Sequence, residues 1–362
     1  MPKSNNFDLI RLAAALQVAL SHAVFYFKVA GHHWPVHVIT DLFPGVPIFF
    51  FISGFLISHS FERNAALREF ARNRFLRIYP ALAVCFVLSV ASVWATGYFD
   101  TTSTRPSEWL KWIVAQLSID QFYSPPFMRQ YGTGSLNAST WTITVEMQFY
   151  LGLPLVYAAL GLRRQSRARS NAILLCLTVA FMAVNLAWVH FWDRSKPFFG
   201  LITPTFAPWF YMFLVGVVFQ RNFELLARLI AGRFIPLVAG YVVVGTIAAR
   251  VLHMPFNNSL NPVLFIALSI VTFAAAFSGG TLSDRLLRRN DLSYGVYLYH
   301  LPVINVLLVT GVAGGGLGVL ATMAATLVLA YASWRLIEKP ALGFKRHPVY
   351  AHMVAEPAGF VA

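Results

Sequence analysis

Apolar runs of about twenty residues recur along the whole chain, separated by shorter polar connections. A bilayer's hydrocarbon core is about 30 Å thick, a distance that a helix of about 20 apolar residues crosses. Ten runs reach that length: 7–28, 41–60, 75–97, 140–161, 171–191, 203–220, 233–252, 260–279, 292–311 and 316–336. The pattern predicts an all-α, polytopic membrane protein with about ten transmembrane helices. The stretch 98–139, between the third and fourth runs, breaks it with mixed polarity and Pro106, Pro125 and Pro126. Within it, 108–122 has helical spacing but is too short and too charged to span, which predicts an interfacial or partly re-entrant segment. Glycines between 311 and 318 predict a tight turn between the last two runs. The opening MPKSNN leads into the first run with no small-residue cleavage site, which favours a retained span over a removed signal peptide. A single domain, 1–362, is expected, with its membrane region at about 7–340 and a short tail at 341–362.

Composition agrees with this picture. Of the residues, 57% are hydrophobic and 12% charged, where a soluble domain averages about a quarter charged. Mean hydropathy is +0.62. The net charge of +14 suggests nucleic acid only until its distribution is read. With the N-terminus placed in the cytoplasm and the ten runs alternating, inner segments hold 20 Lys and Arg and outer segments seven. That is the positive-inside bias of a membrane protein, with both termini cytoplasmic, and it leaves no reason to invoke nucleic acid. Trp34, Trp94, Trp141, Trp192 and Trp334 fall near run ends, where aromatic belts form. Cys85 and Cys176 lie inside apolar runs and read as packing residues.

Against this background the intramembrane polar residues stand out. In the first run, FDLIRLAAALQVALSHAVFYF, the positions Asp8, Arg11, Ala15, Val18 and His22 follow one another at spacings of three or four and share a helix face. Arg11 and His22 lie roughly 16 Å apart along the axis at 1.5 Å per residue. Arg11 near a helix end can snorkel to headgroups, but His22 lies too deep for that. Ionisable groups at such depth usually face a bundle interior or a wet cavity, and a histidine titrating near neutrality can take a proton from a hydroxyl and return one. Ser53-Gly54 in the second run suits close helix contact. Arg74 and Arg77, one turn apart at the mouth of the third run with Tyr79 beside them, are placed to grip phosphates together. Glu146 sits inside the fourth run, and His300 lies in the ninth among Tyr294, Tyr297 and Tyr299. For both, a structural hydrogen bond competes with a cavity role. Glu338 and Lys339, at the end of the last run, read as solvated. His32, His33 and His37 read as a solvated loop, not a metal site, and neither a GxSxG elbow nor a P-loop occurs.

The segments Arg11–x10–His22, GVPIFFFISGFLI, Arg74-x-x-Arg77 leading into IYP, WTITVEMQFYL, LSYGVYLYHLP and RLIEKP, in that order, resemble the acyltransferase 3 family of membrane O-acyltransferases. The likeness runs over about residues 7–340. One departure is Thr144, where the family has serine before Val-Glu. The resemblance implies His22 as catalytic base, Arg11 holding the acyl donor, Arg74 and Arg77 on coenzyme A phosphates with Tyr79 adjacent, and Glu146 as an essential acid. Asp8, Ser53, Trp141, Tyr297 and His300 are then expected to line the substrate cavity. It further implies acetyl-CoA or another acyl-CoA as donor, no metal, and a surface carbohydrate or lipid-linked sugar as acceptor. Membrane lipids would surround the protein in the bacterial inner membrane; nothing in the sequence sets an oligomeric state. The rival reading is a transporter or flippase in which Arg11, His22 and Glu146 bind substrate or relay protons.

Overall fold

A computed structural model describes residues 5–29, 41–102, 104–191, 201–280 and 282–345. His32, His33, His37, Trp34, Trp192 and the tail from 346 lie outside the described residues. The described chain forms helices and turns, with no strand. In order they are α1 (Phe7–Tyr26), α2 (Gly45–Arg63), α3 (Leu67–Ala95), α4 (Pro106–Gln116), α5 (Trp141–Ala159), α6 (Arg167–His190) and α7 (Phe210–Arg221). There follow α8 (Phe223–Ile230), α9 (Phe234–Arg250), α10 (Pro262–Ala276), α11 (Leu282–Leu287), α12 (Ser293–Thr310), α13 (Gly315–Ser333) and α14 (Lys339–Gly343).

Among the described residues, six of the predicted runs are helices long and apolar enough to cross a membrane: α1, α2, α3, α6, α12 and the continuous rod Gly315–Gly343. The paired α8 and α9 reach that length only across an 84° bend. α7 and α10 are apolar but span 12 and 15 residues. α5 has the length, yet interleaves Thr142, Thr144, Glu146 and Gln148 with its apolar residues. Between α3 and α5 the chain is mostly turns around the short α4. They close over an apolar cluster of their own, in which Trp112, Met128, Tyr131 and Leu136 meet Phe86 and Val93 of α3. Gln116 ties this segment together by donating to the carbonyls of Gln121 and Tyr123, and Leu110 and Val114 of α4 face outward.

The main core forms where α2 crosses α7. The approach is close because Gly54 and Gly216 lie at the crossing: a Cβ at Gly54 would run into the Phe213 carbonyl, and one at Gly216 into that of Phe51. Small residues let helix backbones meet in this way where no water drives association. Phe51, Phe55, Phe213, Phe219 and Phe273 fill the space around the crossing. On the other side of the bundle α12 packs on both α1 and α13. α12 ends on Gly311, whose φ of 63° is the left-handed cap glycine favours, and the turn expected there separates α12 from α13.

Three readings require correction. Cys176 is exposed on α6, not packed. Trp334 is buried and donates from Nε1 to Asn290 instead of joining a belt. Glu338 is not solvated: it is 2% exposed. Residues Trp334–Glu338 form a π-helical turn, a wider turn often found at functional sites. The extra residue rotates Glu338 inward, where it accepts from Ser333 Oγ at 3.0 Å and faces Arg77 at 3.9 Å.

Candidate active site

The polar stripe of α1 faces the bundle interior, and its two ends are answered by one other helix. Ala15 and Val18, in the middle of the stripe, are buried. At one end Arg11 pairs with Asp8 on its own helix and, at 3.0 Å, with Asp291, two residues before α12. At the other end His22 Nδ1 lies 2.9 Å from His300 Nε2, with the rings stacked. α1 and α12 therefore run side by side in the same direction.

At the arginine end Asp291 is the hub. It also accepts from Arg77 at 2.5 Å and from the Ser293 hydroxyl at 2.5 Å. Burial works against its ionisation, but Arg11 and Arg77 outweigh that cost and hold its carboxyl well below the ordinary carboxylate range. Arg77 is thus committed to Asp291 and Glu338. Arg74 is different: its guanidinium lies over the rings of Phe70 and Tyr150, its buried Nε has no partner, and among the described residues it forms no ion pair. The expected twin grip resolves into one tied arginine and one available arginine. Lys345, just beyond α14, joins the same end. Its ammonium is pushed down to about 7 by burial and then by Arg74, Arg77 and Arg11. Tyr79 stacks on Phe75 and does not line the cavity described next.

That cavity, about 110 Å³, is lined by Arg11, Arg74 and Arg77 at its charged end, with Ser53, Glu146 and Tyr150 along one wall. Glu146 accepts from Ser53 Oγ at 2.6 Å and from the Tyr150 hydroxyl at 2.7 Å. Its carboxylate belongs to the arginine cavity and not to the surroundings of His22. A volume of this size admits a slim chain but no nucleotide.

At the histidine end the tautomers follow from the bonds. His300 is fully buried, and its Nδ1 lies 3.2 Å from the Val296 carbonyl, which can only accept. Nδ1 therefore carries the proton and Nε2 is the acceptor, for His22 Nδ1 and for Ser139 Oγ at 3.1 Å. With its own proton on Nδ1, His22 presents a bare Nε2. This is the arrangement of a general base oriented by a third group. His300, expected to line a substrate cavity, instead supports His22 from behind.

His22 lines a second cavity, of about 410 Å³, with Ser21, Tyr26, Asp41, Trp141 and the Asn257-Asn258 pair. Trp141 stands against Trp209. Tyr297 and Val46 line both this cavity and the arginine cavity, so the two spaces meet back to back. Of the expected substrate residues, Trp141, Tyr297 and Ser53 line one or both cavities, whereas Asp8 is taken up by Arg11. Asp291, Lys345, Ser139 and the Asn257-Asn258 loop escaped the sequence reading. For Asp291 the available signal was a carboxylate directly preceding LSYGVYLYH. Among the described residues, no group of three His, Cys, Asp or Glu is placed to hold a metal ion.

The described helices thus bring an arginine-lined cavity and a polar cavity holding the oriented His22 back to back. The chain belongs to the acyltransferase 3 family: the family's profile, described as an acyltransferase domain, matches residues 4–335. It is 33% identical over 359 residues to Nodulation protein 10 of Rhizobium leguminosarum bv. viciae, covering 93% of each chain. It is 26% identical to the O-acetyl transferase of Shigella phage Sf6, over 94% of this chain and 96% of that one. A peptidoglycan O-acetyltransferase of Listeria monocytogenes is 24% identical over 92% of this chain, which spans 55% of that longer protein. No solved structure matches significantly.

Proposed function

We propose that the protein transfers an acetyl group from acetyl-CoA to a hydroxyl of a cell-surface carbohydrate, as an O-acetyltransferase of the bacterial inner membrane. The observation that carries this reading is the pairing of His22 with His300, which leaves Nε2 of His22 bare at a cavity lined by hydroxyl, amide and indole groups. Trp141 offers a flat apolar face to a sugar ring, and Asn257 and Asn258 offer donors and acceptors for its hydroxyls.

The donor's phosphates sit outside the arginine cavity, beside Arg74 and Lys345, while the slim arm with its thioester enters. A nucleotide does not fit the 110 Å³ within. Arg74 is the principal phosphate ligand, because Arg77 is tied to Asp291. Glu146, held by Ser53 and Tyr150, accepts a hydrogen bond from the amides of the arm. In the reaction, Nε2 of His22 takes the proton of the acceptor hydroxyl as its oxygen bonds to the thioester carbonyl carbon. The C–S bond then breaks, and the proton passes from His22 to the leaving thiolate. The products are the O-acetyl ester and coenzyme A. His300 accepts throughout from Nδ1–H of His22, holding the ring in its working tautomer.

The topology we favour has ten spans, with the shorter α7 and α10 and the bent α8–α9 among them, and both termini in the cytoplasm. The 20-to-seven distribution of Lys and Arg supports it, as does the common direction of α1 and α12, the first and ninth spans of an alternating series. The acyl-CoA pool is then on the arginine side. The test is acetyl transfer by purified protein in vesicles, with radiolabelled acetyl-CoA on the arginine side and a saccharide acceptor on the other. Label should appear in the saccharide, His22→Ala should abolish it, and Arg74→Ala should weaken acetyl-CoA binding at least about tenfold, the scale of a charge-assisted hydrogen bond. Transfer by His22→Ala at the wild-type rate would refute the mechanism.

A further inference from the structure

We infer that Tyr297 is a catalytic residue whose hydroxyl, with that of Thr142, stabilises the oxyanion of the tetrahedral intermediate. The inference rests on the acetyl-transfer reading above. In that reaction the carbonyl carbon lies between two partners held in different spaces. Its sulfur is on an arm in the arginine cavity, and the attacking oxygen is beside His22 in the polar cavity. The carbonyl must therefore be at the level of the wall the two cavities share.

Among the described residues two side chains line both spaces, Val46 and Tyr297, and of these Tyr297 carries the polar group. The Tyr297 hydroxyl lies 2.7 Å from Thr142 Oγ1, itself part of the arginine-cavity wall, and both hydroxyls lie within donating distance of the Ser139 carbonyl, at 3.2 and 3.1 Å. Two hydroxyls thus meet beside the apolar Val46, at the level where negative charge develops. The ring is fixed for the task. It packs edge-on against Phe49 and against His300, and its residue is buried. The same α12 that carries His300, and so orients the base, carries this donor one turn earlier. Hydrogen-bond donors held beside the place where charge develops stabilise the intermediates of acyl transfer. At the ground state the hydroxyl is occupied by the Ser139 carbonyl at the long end of hydrogen-bond range. As the carbonyl oxygen becomes an alkoxide it is the better acceptor, and the hydroxyl turns to it. No covalent bond to Tyr297 forms and its proton stays in place.

The test is Tyr297→Phe in the full-length protein in vesicles, a change that keeps the ring and its packing. We expect kcat for acetyl transfer to fall about 100-fold, the scale for losing one oxyanion donor, with KM for acetyl-CoA within about twofold. A trifluoromethyl ketone analogue of acetyl-CoA, hydrated to a tetrahedral adduct, should lose affinity by a similar factor. A planar methyl ketone analogue should bind as to wild type. Thr142→Val should lower kcat by a smaller factor in the same assay. An unchanged kcat in Tyr297→Phe, or equal losses for the tetrahedral and planar analogues, would show the tyrosine to be packing alone and overturn the proposal. Wild-type protein that transfers no acetyl group would instead overturn the underlying reading.

Discussion

Replacing Asp291 by alanine should be among the costliest single changes in this protein. Its carboxylate joins α12 to Arg11 of α1 and Arg77 of α3 at 3.0 and 2.5 Å, and its side chain is 10% exposed. Two guanidinium groups would remain in partly dehydrated positions. At an effective dielectric of about 20 each contact corresponds to about 4 kcal/mol of attraction at 4 Å, most of it offset by desolvation in the intact pair. Removing the carboxylate leaves the desolvation of both guanidinium groups uncompensated, and breaking a buried pair in this way typically costs about 3–5 kcal/mol. Here Arg11 keeps Asp8 and Arg77 keeps Glu338, which argues for the lower end, about 3 kcal/mol. Asp291 has a lowered folded-state pKa, so its contribution is complete above the ordinary carboxylate value of about 4 and is lost only as pH falls towards the folded value. Denaturant unfolding in detergent at pH 7 measures the loss directly. Asp291→Ala with Arg11→Met should be less destabilised than Asp291→Ala alone, because one stranded charge goes with its partner and the Asp8 it leaves is half-exposed. A cost below about 1 kcal/mol, the range of a surface ion pair, or strict additivity in the double variant would refute the reasoning.

Two further outcomes follow from the same contacts. His300→Phe, which fills the space but cannot accept from His22 Nδ1, should lower kcat about 100-fold, within the span of general-base catalysis. Its KM for acetyl-CoA should stay near wild type; a rise in KM with kcat intact would place His300 on the substrate. Lys345, with its ammonium pushed down to about 7, is partly neutral before the donor binds and charged beside its phosphates. Binding above pH 7 therefore takes up a proton, and affinity for acyl-CoA should fall as pH rises from 7 to 9. Titration calorimetry in two buffers reads both effects. Lys345→Arg should flatten the profile, and the same slope in Lys345→Ala would assign it elsewhere.

The sequence made legible whatever depends on one helix at a time. Arg11 and His22 announced themselves because each is costly in an apolar run, and their shared face follows from 100° per residue. Their partners did not. Asp291 sits among Arg288, Arg289 and Asn290, and looks solvated until α12 is packed against α1. His300 was visible as a buried histidine, but nothing local says that it meets a residue 278 positions away. Glu338 reads as solvated in sequence because its orientation depends on a π turn, a register change that leaves no mark in hydropathy. Arg74 and Arg77 looked equivalent at one-turn spacing. Only the position of Asp291 tells the tied one from the available one. Run lengths located the six long helices, while the 84° bend between α8 and α9 is a tertiary matter that composition cannot carry.

The back-to-back arrangement of the two cavities has an energetic consequence for a cell that keeps a voltage across its membrane. In the orientation proposed, an acetyl group leaves the arginine side and a proton from the acceptor hydroxyl arrives there, on the thiol of coenzyme A. Formally an acylium equivalent travels outward and a proton inward, so no net charge crosses. The turnover is electroneutral, and neither saccharide nor nucleotide has to move through the bilayer. Each elementary charge carried across would be worth about 2.3 kcal/mol per 100 mV; here that term cancels. Surface modification can then proceed at the same thermodynamic cost in an energised or a depolarised membrane, driven by the thioester alone.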